Sequence, residues 1–80
     1  MTKDWEKKVA KLDRRARLRI ADALVAVRAL RLEHLDVKPL VGQPGLWRAR
    51  VGDLRIVFEK GAEEGVIKKV DFRQSIYKGL

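Results

Sequence analysis

Three arginines in the middle of the chain have the type and the spacing to bind an anion. Arg48 and Arg50 lie in one run of alternating apolar and polar residues, and Arg55 lies in the next run. Gly52-Asp53 separates the two runs, and a Gly-X pair in this position is typical of a two-residue β-hairpin turn. With that turn Arg50 lies opposite Arg55, and all three guanidinium groups share one face of the hairpin. A guanidinium donates paired hydrogen bonds to phosphate oxygens, so this face is a candidate phosphate-binding surface.

The same register predicts a wholly apolar opposite face, formed by Trp47, Ala49, Val51, Leu54, Ile56 and Phe58. Val57 is the apolar residue that accompanies the arginines. Because side chains alternate across a strand, a one-residue slip of the hairpin would divide the arginines between the two faces. The candidate anion site therefore depends on this register.

A third strand is predicted over residues 66–73, after a polar loop at 59–65. Its alternation assigns to the apolar face Val66, Val70 and Phe72, and to the arginine face Ile67, Lys69, Asp71 and Arg73. Lys68 is the exception on the apolar face. We expect the short tail that follows to turn over the sheet, so that Tyr77 lies near Arg73.

Residues 3 to about 32 are predicted to be helical, since good helix formers dominate and no Gly or Pro interrupts them. Asp13 precedes a second apolar run, and because Asp is a favoured N-cap we expect it to divide the segment into an antiparallel helical hairpin. A single helix of about thirty residues is the alternative, although it exceeds the usual globular length. Leu18, Val25 and Leu32 add a second apolar stripe, which predicts that the second helix lies between the first helix and the sheet.

The interval 33–45 is predicted to be a connector, because it contains both prolines and the turn signal Pro44-Gly45. The single histidine, His34, lies at its start, where a capping or solvated role is more typical than catalysis. The predicted order is helix, helix and three antiparallel strands. This is an α+β fold, with an N-terminal helical hairpin packed on one face of a small antiparallel β-sheet, in a single domain over residues 1–80.

The formal net charge of +8 favours nucleic acid, an acidic protein partner or an anionic membrane surface. The chain has no cysteine, which excludes disulfides and a thiolate metal site. No apolar run has the roughly 20 residues of a membrane span, and the first residues lack the apolar core of a signal peptide. We therefore expect a cytoplasmic protein without a membrane partner.

The usual catalytic motifs are absent: the chain has no HExxH, no Gly-rich phosphate loop and no paired carboxylates on the arginine face. Neither a metal nor a cofactor is expected. RNA carries its own nucleophile, the 2′-hydroxyl, so its cleavage needs orientation, charge stabilisation and proton transfer. The candidate residues for this chemistry are Arg48, Arg50, Arg55, Arg73 and Tyr77, with Lys69 and Lys78 as RNA-binding residues. From these residues alone, phosphate or protein binding without catalysis is an equal alternative.

The segment from Pro44 to Phe58, PGLWRARVGDLRIVF, resembles the motif G-L-(Y/W)-R-(L/I)-R-V-G-(D/N)-Y-R-(V/I)-(I/V)-(Y/F) of the RelE/ParE superfamily of toxin–antitoxin toxins. The ending VDFRQSIY at residues 70–77 is similar to the closing strand of that family, commonly V-G-H-R followed by Y. The helical hairpin and the lead-in Pro-Leu-Val-Gly at residues 39–42 fit the resemblance, which covers most of the chain.

The resemblance implies a toxin that a cognate antitoxin holds inactive in a hetero-oligomer. RelE-like members cut mRNA in the ribosomal A site, without a metal, through the 2′-hydroxyl. By the same resemblance, Arg48 and Arg50 orient the RNA and help to activate the 2′-hydroxyl, and Arg55 stabilises the transition state. Arg73 assists the leaving oxygen, and Tyr77 stacks on a base and transfers a proton.

Two alternatives to a ribosome-dependent mRNA endonuclease stay open. A ParE-like poison of DNA gyrase shares the fold, although ParE-like members generally lack the full basic and tyrosine set. A non-catalytic RNA-binding or ribosome-binding module is the other. Arginine at positions 48 and 50, where RelE has lysine, implies binding more directly than proton abstraction, because a guanidinium stays protonated.

Members of the family usually open with a β-strand before the helical hairpin, whereas this sequence begins almost at the helix. We therefore expect a sheet that lacks one edge strand.

Overall fold

The computed structural model describes residues 4–72, which form two helices followed by a four-stranded antiparallel sheet. The helices are α1 (Asp4–Ala10) and α2 (Arg14–Arg28). The strands are β1 (Asp36–Pro39), β2 (Leu46–Val51), β3 (Leu54–Lys60) and β4 (Gly65–Phe72). The strand order β1-β2-β3-β4 follows the chain, and the helices pack on one side of the sheet. The predicted fold class, a helical pair on a small antiparallel sheet, is confirmed.

Asp13 divides the helical segment, as predicted. Its backbone is extended, with φ −66° and ψ 167°, and its carboxylate accepts a hydrogen bond from the backbone N–H of Ala16 at 2.8 Å. This is the geometry of an N-cap, which satisfies one of the free donors in the first turn of α2. The helix ends at Arg28, about one turn before the predicted end, and Leu30 adopts the left-handed conformation with φ 55°.

The sheet has a strand that the sequence did not predict. Within the interval expected to be a connector, Asp36 pairs with Arg50, Val37 with Ala49, and Lys38 with Arg48. The prolines favoured a loop, but Pro39 is the last residue of β1, and β1 is an edge strand that tolerates a missing N–H. The expectation of three strands was therefore wrong. The described residues form four.

The hairpin between β2 and β3 has the predicted register. Val51 pairs with Leu54, Arg50 with Arg55, and Trp47 with Phe58. Its apolar face enters the core, where it meets both helices; the buried residues are Trp5, Ile20, Ala23, Val27, Ala49, Leu54, Ile56, Phe58, Ile67 and Val70. The sheet and α2 approach closely at one point, because a Cβ on Gly65 would overlap the carbonyl oxygen of Val27.

A register shift between Val57 and Phe58 changes which residues of β4 face the core. Phe58 pairs with Ile67, whereas Val57 pairs with Lys69, so Lys68 is the extra residue on β4. As a result Ile67 is buried and Val66 is 37% exposed, which reverses the prediction for these two residues. Strict alternation fails here because a bulge inserts one residue into the period of two.

The stripe of Leu18 and Val25 is also placed differently from the prediction. Both side chains point away from the core of residues 4–72, whereas Leu32 packs against it. The first helix is only 7 residues long, and it packs mainly on β4 rather than along α2. No helix in residues 4–72 is both long and apolar enough to cross a membrane.

Candidate nucleic-acid interface

The sheet face opposite the helices carries two rows of mainly charged residues that run across all four strands. The first row, from β1 to β4, is Asp36, Arg50, Arg55 and Asp71. The second row is Lys38, Arg48, Val57 and Lys69. Residues paired across antiparallel strands share a face, so five cations and two carboxylates lie together, an excess of 5 − 2 = +3. We call this surface the arginine face.

Arg50 and Arg55 form a like-charge pair at the centre of the arginine face. They lie directly opposite each other on β2 and β3. The residue Arg50 is exposed and Arg55 is half-buried. Two opposed cations destabilise a sheet, and an anion between them would remove that repulsion. Their planar donor groups suit the oxygens of a phosphodiester.

Arg48 is the least accessible cation of the second row. Its side chain is 14% exposed, and its Nη1 lies 3.7 Å from a carboxylate oxygen of Asp36. That distance gives charge attraction but is too long for a hydrogen bond. Among the described residues this buried Nη1 has no hydrogen-bond partner. The fold therefore leaves one donor of Arg48 unsatisfied among the described residues.

Asp71 places a carboxylate among the cations at the β4 side of the arginine face. One of its oxygens lies 3.3 Å from Nζ of Lys8, on α1, and 3.4 Å from Nζ of Lys69. The side chain is 11% exposed, and the residue pairs with Arg55 across the strands. Because Asp71 pairs with Arg55 and contacts Lys69, its carboxylate competes with any anion that these cations attract.

The structure brings together four of the residues that the sequence singled out. Arg48, Arg50, Arg55 and Lys69 share the arginine face. The other three candidates, Arg73, Tyr77 and Lys78, lie outside the described residues.

Sequence reasoning missed Asp36 and Lys38, because it missed β1. The available signal was the alternation of these two charged residues around the half-buried Val37. His34 is exposed and lines a groove beside α2, on the helical side of the sheet. Residues 4–72 contain no group of three or more His, Cys, Asp or Glu that could hold a metal ion.

No protein-family model and no curated protein matches the chain. A solved structure does: a chain of the crystal structure of the RelB–RelE antitoxin–toxin complex from Methanococcus jannaschii is 26% identical to it in sequence. The two superpose with a TM-score of 0.69, over 99% of this chain and 95% of that one. The similarity thus extends over nearly the whole length of both chains, helices and sheet included. The resemblance first indicated by the hairpin motif is confirmed at the level of structure: this chain has the RelE-like toxin fold.

Proposed function

We propose that the chain is the toxin of a toxin–antitoxin system, and that it inhibits translation by metal-free cleavage of mRNA on the ribosome. The observation that carries this proposal is the arginine face, with Arg48, Arg50 and Arg55 on one side of a sheet whose fold is similar to a chain of a RelB–RelE complex. The proposed toxin function also implies a partner antitoxin and a cytoplasmic site of action.

The chemistry uses a nucleophile that the RNA supplies. The 2′-oxygen attacks the adjacent phosphorus, the bond to the 5′-oxygen breaks, and a 2′,3′-cyclic phosphate remains. One proton leaves the 2′-hydroxyl and another reaches the departing 5′-oxygen. The protein then has to orient the backbone, stabilise the negative charge that builds on the phosphate, and assist both proton transfers.

Under this proposal, the residues of the arginine face have different roles in the reaction. Arg48 and Arg50, two residues apart on β2, orient the RNA backbone. Arg55 lies opposite Arg50 and stabilises the phosphate in the transition state, where the oxygens carry most charge. Lys69 adds a contact to the backbone from β4.

The family resemblance assigns the remaining steps to residues outside the described range. Arg73 assists the leaving oxygen, Tyr77 stacks on a base and transfers a proton, and Lys78 contacts the backbone. No metal or cofactor takes part in this scheme.

A second candidate function, RNA binding without cleavage, is favoured by one observation. The two cations on β2 are arginines, which stay protonated, and Asp71 is engaged by Lys8 and Lys69. Within residues 4–72 the arginine face therefore binds phosphate readily but offers a poor proton acceptor. Cleavage then depends on Tyr77 or on groups of the ribosome.

The test is a reconstituted translation reaction followed by mapping of mRNA 5′ ends. We expect wild-type protein to produce cuts at a fixed position within codons, and Arg55→Ala to lower their rate at least 100-fold. Arg15→Ala is the matched control, because Arg15 is an exposed arginine on α2, in the other layer, and its cuts should equal those of wild type.

Three outcomes would contradict the proposal. Cuts that persist in Arg55→Ala would show that the arginine face does not take part in the cleavage reaction. Salt-sensitive RNA binding without any cleavage product would favour the second candidate function, RNA binding without cleavage. Double-strand DNA breaks without RNA cuts would point to a ParE-like gyrase poison.

A further inference from the structure

The bulge of β4 changes the side of the sheet on which Lys68 lies. Ile67 and Val70 both pack in the core and are at most 5% exposed. In a regular strand, residues three positions apart lie on opposite faces, because side chains alternate. Here the two residues between them, Lys68 and Lys69, are both exposed. Both lysines therefore face away from the core, on the side of the arginine face.

The two lysines lie opposite a single residue of the neighbouring strand, Val57. Lys69 is its pairing partner, and the next residue of β3, Phe58, already pairs with Ile67. A bulge places two residues of one strand against one residue of the other, so Lys68 and Lys69 lie side by side next to Val57. Val57 is half-buried and is the apolar member of its row. The bulge thus adds one more cation, Lys68, to the arginine face.

Lys68 is the less neutralised of these two lysines. Nζ of Lys69 lies 3.4 Å from a carboxylate oxygen of Asp71, which Nζ of Lys8 also approaches to 3.3 Å. Among residues 4–72, Lys68 forms no ion pair with an acidic side chain. An anion from solution that binds Lys68 therefore does not have to displace a carboxylate from it, as it does at Lys69.

We infer that the bulge of β4 is an RNA contact, in which Lys68 binds a backbone phosphate and Val57 packs against the adjacent ribose or base. Arg55 and Val57 are two residues apart on β3, which is about 6.8 Å along the strand. A phosphate at Arg55 then has its neighbour within reach of Lys68, whose amine extends on a flexible four-carbon stem. Contacts of this kind fix the register of a nucleic-acid backbone. RNA as the ligand is taken from the proposed function, on which this inference rests, whereas cleavage is not required.

Protection of a sheet edge is the other role that a bulge and a lysine can have. Within residues 4–72, β4 is an edge strand, and bulges and lysines on such strands prevent pairing with another chain. A carboxylate at this position would also protect the edge, and it would neutralise Lys69. Lys68 instead adds to the repulsion between cations on this face, and an anionic ligand removes that repulsion. The charge of Lys68 therefore favours the RNA contact.

The test measures binding of a short labelled single-stranded RNA by fluorescence anisotropy over a range of salt concentrations. Loss of one phosphate contact makes the slope of log K against log salt less negative by about 0.7, which corresponds to about fivefold in affinity at about 0.1 M salt. We expect both changes in Lys68→Ala and neither in Lys68→Arg, which keeps the charge. Lys11→Ala is the matched control, because Lys11 is an exposed lysine between α1 and α2, in the other layer, and its affinity should equal that of wild type.

Deletion of Lys68 tests the bulge itself. Without this residue, strict alternation along β4 still places Ile67 and Val70 on the core face and Lys69 on the arginine face. We therefore expect the deletion variant to fold, with a melting temperature no lower than that of wild type, and to lose RNA affinity about fivefold, as Lys68→Ala does. Circular dichroism would verify the fold of each variant.

The same variants separate this inference from the proposed function. Wild-type affinity in Lys68→Ala, together with weaker binding by Arg55→Ala, would overturn the inference alone. Wild-type affinity in both variants would show that the RNA does not bind the arginine face, which contradicts the proposed function as well. An equal loss in Lys11→Ala would assign the effect to net charge and would overturn the inference. Self-association of Lys68→Ala in sedimentation equilibrium, with unchanged RNA affinity, would overturn it in favour of edge protection.

Discussion

Replacement of Asp71 by asparagine tests whether the arginine face is a phosphate-binding surface. Asp71→Asn keeps the shape of the side chain but removes a negative charge that lies 3.3–3.4 Å from two lysine Nζ atoms and pairs across the strands with Arg55. If RNA phosphates bind the cations of this face, the carboxylate repels them, and its removal should strengthen binding.

The size of the effect follows from Coulomb's law. A phosphate about 7 Å from the carboxylate is repelled by ~0.6 kcal/mol at the dielectric constant of water and by ~2.4 kcal/mol at an effective dielectric constant of about 20. These limits correspond to about 3-fold and about 60-fold in affinity. The freed cations can neutralise one more phosphate, so the slope of log K against log salt should become more negative by about 0.7 for single-stranded RNA.

The assay is fluorescence anisotropy with a short labelled single-stranded RNA over a range of salt concentrations. Asp22→Asn is the matched control, because it makes the same change of net charge on an exposed residue of α2, in the other layer. We expect the control to bind RNA as wild type does. If both variants bind equally, or if Asp71→Asn binds more weakly than wild type, then the arginine face does not bind the RNA backbone as inferred. The lysines next to Asp71 are about half exposed and keep their hydration, so we expect Asp71→Asn to fold. Circular dichroism would verify that both variants are folded.

Three further predictions concern the elements that hold this face in place. Asp13→Ala removes the acceptor for the Ala16 N–H and should lower the free energy of unfolding by about 1 kcal/mol in urea denaturation. Gly65→Ala should be more destabilising, by about 1–3 kcal/mol, because the new methyl group overlaps the carbonyl of Val27; an unchanged melting temperature would contradict this close approach. Phe58→Ala leaves a cavity in the core and should cost about 3–5 kcal/mol, enough to unfold much of a small domain, which calorimetry would detect.

Local patterns were sufficient to predict the hairpin and the helical division. Gly52 has a φ of 59°, as its place in a tight turn requires, and the period of two on either side then determined the face of each side chain. The carboxylate of Asp13 accepts a hydrogen bond from the backbone N–H of Ala16, three residues further along the chain. Both features depend on residues within a few positions of each other, and for that reason the shared face of Arg48, Arg50 and Arg55 was predictable.

Contacts between distant segments decided the rest. The strand β1 exists because residues 36–39 pair with β2, a partner that the sequence near the prolines does not reveal. The bulge in β4 depends on its pairing with β3, and it moved Ile67 into the core. The carboxylate of Asp36 flanks the arginines only because β1 aligns in register with β2, whereas alternation in the sequence had already assigned Asp71 to this face. Pairing between strands and packing between layers are cooperative properties of the whole chain, so a single segment does not encode them.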